Sequence, residues 1–170
     1  MRNALILVLA VVTFASCSRM GEEELLQSAQ NLYKEKKYQE AIEKYQELID
    51  RFPEGKNAET SQFFIASICN DDLHDYPKAV DALRKCIESW PKGENAPKAQ
   101  FMIGFIYNNQ LQEYDSAKAA YRQFLAQYPD HEMAPSARFE LETIGKSIEE
   151  VFVPKMPQEK PAVAEKPKKK

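Results

Sequence analysis

The sequence predicts an all-α protein, an α-solenoid of three helical hairpins followed by a C-terminal capping helix. A 38-residue step is the first reason: it carries Tyr38 to Tyr76 to Tyr114, Ala41 to Ala79 to Ala117, and Pro53 to Pro91 to Pro129. The second is spacing, since Ala41, Tyr45, Leu48 and Phe52 fall at i, i+4, i+7 and i+11, one face of a helix, and recur in both later copies. The third is the tripled Phe-Pro, Trp-Pro and Tyr-Pro junction. Proline disfavours helical backbone in the residue before it and cannot continue the ladder, so each junction marks a helix end. Repeats of this length bury apolar faces only by stacking on their neighbours, and such arrays ordinarily hold other proteins.

Residues 1–16 read as an export signal: Arg2 gives a basic start and Ala4 to Phe14 form an apolar run. Eleven such residues rise only about 16 Å as a helix against a bilayer core of about 30 Å, which disfavours a transmembrane anchor. Ala15 and Ser16 directly before Cys17 resemble the lipobox of bacterial lipoproteins, with Phe14 where that family usually has leucine. The resemblance implies cleavage and acylation at Cys17, and therefore lasting membrane attachment. Ser18 after the cysteine, by the same resemblance, favours the outer membrane. A cleaved soluble periplasmic protein and an uncleaved anchor are the alternatives.

After a linker at 17–23, a repeat domain is expected over 24–150. Each hairpin pairs a first helix centred on a small residue with a second helix ending at a proline. The first helices contain Ala29 in LLQSAQNLY, Ala66 in FFIASICN and Gly104 in FMIGFIYNN. These small residues are expected to face Ala41, Ala79 and Ala117, because only a methyl or a hydrogen allows such close helix approach. Ala134 to Ile148 begins as a fourth first helix with no second helix after it, and Glu142 stands where the small residue belongs, as expected of a cap.

Taken together, the small residue, aromatic, alanine and terminal proline resemble the tetratricopeptide repeat, from residue 24 to about 130. The 38-residue step exceeds the usual 34, with extra residues in the hairpin turns of copies two and three and in the linkers PEGKNAE, PKGENAP and PDHEMAP. This longer form looks like the envelope group that includes the β-barrel assembly lipoprotein BamD and the Tol-Pal-associated division coordinator CpoB. The resemblance implies a scaffold on the outer membrane, facing the periplasm, that binds an envelope protein or peptide segment. BamD-like assembly is the expected role. Division or Tol-Pal coordination, secretin piloting, or a tether from outer membrane to cell wall are the alternatives.

Residues 18–152 hold 16 Lys and Arg against 24 Asp and Glu, whereas 153–170 hold six Lys against two Glu. The acidic array argues against nucleic acid, whose phosphates need clustered cations. The Pro- and Lys-rich stretch at 151–170 has no helical or strand period and reads as a disordered tail.

No catalytic motif, cofactor loop or small-molecule site is legible, so neither enzyme activity nor a cofactor is expected. Asp71, Asp72, His74 and Asp75 read as a hairpin turn, with Asp75 capping the next helix, rather than as a metal site. His131 replaces a linker glycine and is expected in solvent. Cys69 and Cys86 are expected to be too far apart to bridge, and so to remain two core thiols. In the tetratricopeptide family the first helices line the inner groove. The corresponding residues here are Leu26, Gln30 and Tyr33, then Phe63, Ser67 and Asn70, then Phe101, Phe105, Asn108 and Asn109. Rings interleaved with amides suit peptide backbone. The ladder Phe63, Phe101 and Phe139 is expected to pack instead, as positions recurring at the repeat step do.

Overall fold

The structure, a computed structural model, describes residues 20–146 and 150–151. The expected signal, acylated Cys17 and the tail from 152 onward lie outside them, whereas Val151, expected to open that disordered tail, is helical together with Glu150. Helices α1 (Glu22–Lys34), α2 (Tyr38–Arg51), α3 (Ala58–Ser67), α4 (Tyr76–Ser89), α5 (Ala96–Asn109), α6 (Tyr114–Gln127) and α7 (Ala134–Thr143) account for the described architecture, and α3 runs on into a π-helical turn, Ile68–Asp72. There is no strand among the described residues. None of their helices is long and apolar enough to cross a membrane. Two compact units result, the first ending at Ser61 and the second beginning at Gln62.

The repeat step holds at the level of backbone angles. The second helices α2, α4 and α6 each start at the repeated tyrosine and run 14 residues. They stop at Phe52 (φ −133°, ψ 57°), Trp90 (−129°, 64°) and Tyr128 (−132°, 55°). All three precede proline, and the proline explains why all three leave the helical region. The hairpin turns repeat as well, through Lys36, His74 and Gln112, each with φ between 53° and 60°. A left-handed residue turns the chain sharply, and none of the three is glycine. In the first copy the N–H of Lys37 reaches back to Leu32 O. In the later copies Asp75 reaches Cys69 and Glu113 reaches Tyr107, one residue further, so the inserted residue is taken up in the turn. Asp75 caps α4, its carboxylate accepting from Lys78 N at 3.3 Å. The Lys78 ammonium, 2.6 Å away, holds the Asp75 carboxyl below its usual range.

In the first unit α1 packs on α2 through fully buried Leu25, Ala29, Ala41 and Leu48. The start of α1 is tied to the segment after α2: Asn57 N donates to Glu22 Oε1 at 2.9 Å, Lys56 pairs with Glu23 at 2.6 Å, and Arg51 donates to Met20 O. In the second unit α4 packs on α5, α5 on α6 and α6 on α7. Its core includes Leu83, Cys86, Ile106, Tyr121 and Phe124. Cys69 and Cys86 are both buried and carry no disulfide.

The small residues and their alanine counterparts are all buried, and Gly104 lies under the Tyr121 ring, one turn beyond Ala117. A Cβ at Gly104 would lie 2.8–3.0 Å from that ring. His131 is half-buried rather than in solvent: its ring stands edge-on to Phe124 at 5.8 Å and its Nδ1 accepts from Met133 N. Helix α7 ends at Thr143, not Ile148, because Ile144 is extended (ψ 123°) and Gly145 takes φ 77°, open to glycine without strain.

Candidate functional site

Helix α5 begins with Pro97 in its first turn, where a missing N–H costs nothing, and presents three different faces. One buries Ala99 and Ile106. A second meets α6: Phe101 packs edge-on against Tyr121 (5.4 Å) and Phe124 (5.8 Å). The third opens to solvent and carries Phe105, 40% exposed, and Asn109.

The ten sequence-selected groove residues therefore divide. Phe105 and Asn109 share the open face, and Asn109 also donates to Phe105 O at 3.1 Å, closing the helix end. Asn108 is half-buried and spends its amide on Glu140 Oε2 of α7 at 3.2 Å. Asn70, one step earlier, is only 9% exposed; its amide donates to Asp71 at 2.6 Å, and its Oδ1 has no partner among the described residues. Phe63 and Ser67 are half-buried. In the first unit Leu26 and Gln30 are half-buried, while Tyr33 is exposed and tilts against Tyr38 at 5.7 Å. The expected packing ladder is broken at its end: Phe101 packs, but Phe139 is 51% exposed, because no helix equivalent to α6 follows α7 among the described residues.

Sequence reasoning passed over a polar ladder. Gln62 and Gln100, both buried, donate to Ala82 O (3.0 Å) and Ala120 O (3.1 Å), so α3 and α5 are each bonded to the second helix of their own hairpin. The 38-residue step was the available signal, but glutamine at a core position reads as surface in a pattern of apolar residues. Gln100 also floors a groove of about 410 Å³ with Ile103 and Tyr107, between Arg84 and Ile87 of α4 and Ala119 of α6. Arg84 donates to Tyr107 Oη at 2.8 Å across it. No group of metal-binding side chains assembles among the described residues. Burial, with Glu140 nearby, raises the Tyr121 phenol far above its usual range, so it stays neutral.

Paired antiparallel helices at a fixed step, with aromatic and amide side chains on the open side of a first helix, define a tetratricopeptide-type helical scaffold. The profile of the family described as outer membrane lipoprotein, YfiO, matches residues 18–151, and the chain belongs to that family. No curated protein matches the chain significantly. The family places it in the bacterial envelope among BamD-like scaffold lipoproteins.

Proposed function

We propose that this protein is a scaffold anchored by acylated Cys17 to the outer membrane, facing the periplasm, where it holds another protein during β-barrel assembly. Residues 1–16 are its signal, 17–23 its linker, 24–150 its repeat domain and 151–170 its tail. The observation that carries this reading is the family match over the whole repeat region. The open face of α5 supports it, since an exposed ring beside an exposed amide combines apolar contact with backbone-type hydrogen bonding. Catalysis is not part of this role, and no cofactor or small-molecule substrate belongs to it.

Crosslinking in intact cells followed by purification of the acylated form tests the proposal. Recovery of β-barrel assembly components is the expected result; adducts that contain none of them overturn it. The charge of the tail, six Lys against two Glu, favours a second reading as a tether to the cell wall. A tether loses function when 154–170 are deleted, whereas a scaffold loses it through Phe105→Ala and Asn109→Ala.

A further inference from the structure

We infer that the open face of α7 is a docking site for an amphipathic helix of another envelope protein, which takes the place that α6 takes on α5. This rests on the scaffold reading but concerns a different surface from the open face of α5. The repeat supplies the template. On α5, Phe101 lies against Tyr121 and Phe124, and Gly104 lies under the Tyr121 ring. One step later the same positions on α7 are Phe139 and Glu142, and both are exposed. The opposite side of α7 is already used, with Ala134, Ala137 and Ile144 buried in the cluster containing Ala117 and Phe124. The interface that joins α5 to α6 therefore continues onto α7 and stops at an uncovered ring.

Beyond α7, only Glu150 and Val151 are helical among the described residues, which is no counterpart of the 14-residue α6. The residues one step beyond α6, 152–165, contain Pro154, Pro157 and Pro161, and prolines at that spacing remove the ladder donors an α6-like helix needs. The two substitutions on α7 also specify the occupant. Glu142 in place of Gly104 forbids a bulky ring at the position of Tyr121 and calls for a lysine or arginine there, its stem on Phe139 and its head on the carboxylate. The occupant is thus a helix with a small residue at i, a basic residue at i+4 and a large apolar residue at i+7, as Ala117, Tyr121 and Phe124 stand on α6.

Replacing Phe139 with p-benzoylphenylalanine in the full-length acylated protein, irradiating intact cells and mapping the adduct by mass spectrometry tests this. The expected adduct lies on a helix of another protein with that small, basic, apolar spacing, and its yield falls at least tenfold with Glu142→Lys. Exchanging the partner's basic residue for glutamate restores it in the Glu142→Lys background. No adduct, an adduct to residues 147–170 of the same chain or to a second copy, or a yield indifferent to Glu142→Lys overturns the inference. The same probe at Phe105 reports separately on the open face of α5, so either reading can fail alone.

Discussion

Helices α5 and α7 occupy the same register of the repeat and share its starting alanine and proline, yet their corresponding residues live in different surroundings. Phe101 is held by two rings of α6, while Phe139 stands half in solvent. Gln100 bonds the α6 backbone at Ala120, while Arg138 turns to Pro129 O at 3.2 Å. Gly104 admits the Tyr121 ring, while Glu142 is exposed. A repeat position acquires its energetic meaning from the next helix, not from its own residue type.

That contrast is broken most severely at the ring α6 provides. Phe124→Ala is expected to cost about 3–5 kcal/mol in chemical denaturation, since it empties a fully buried site shared with Phe101, Tyr128 and His131. Phe139→Ala should stay within about 0.5 kcal/mol. Equal losses from the two would mean that α7 is covered within the free protein.

Gly104→Ala is the next test. Its Cβ meets a fully buried ring with little room to move, so a loss of about 1–3 kcal/mol is expected, against almost none for Glu142→Ala. Ala79→Leu, at a fully buried position of α4, should cost about the same through overpacking, read as a fall in Tm.

Tyr121→Phe works in the opposite direction. It removes a buried hydroxyl that has no partner among the described residues, and a gain of about 1 kcal/mol is expected. The pH dependence follows from the raised phenol. Its contribution is fully present below the ordinary tyrosine pKa of about 10 and is lost as pH climbs above it, because the unfolded chain ionises first. Wild type should therefore destabilise above about pH 10 more steeply than Tyr121→Phe in alkaline denaturation.

The smallest effect belongs to the turns. Gln112→Gly relieves a left-handed side-chain residue but loosens the unfolded chain, leaving a net gain of about 0.5 kcal/mol. Moving the substitution one residue, to Glu113→Gly, removes the acceptor that Ser116 Oγ uses and should lower Tm instead.

Much of this was legible beforehand because it is local. Phe-Pro, Trp-Pro and Tyr-Pro fix where α2, α4 and α6 end, and the tyrosines fix where they begin. Asp75 as a cap followed from its place before an amphipathic run. The candidate site was less legible. Asn108 and Asn109 are neighbours with the same chemistry, and nothing in their sequence says that one amide belongs to Glu140, 32 residues on, and the other to its own helix end. Asn70 and Asn108 share a repeat position, but Asn70 finds its carboxylate in the next residue, Asp71, and only Asn108 reaches one on another helix.

The amino-acid order by itself determined the hairpins, their step and the class of protein, because backbone restriction by proline and the 3.6-residue period act within a few residues. Tertiary structure alone decided which rings are covered, why Gly104 must be glycine, and which amides remain available. Those outcomes depend on atoms brought together from separate helices, and close packing rather than local preference settles them.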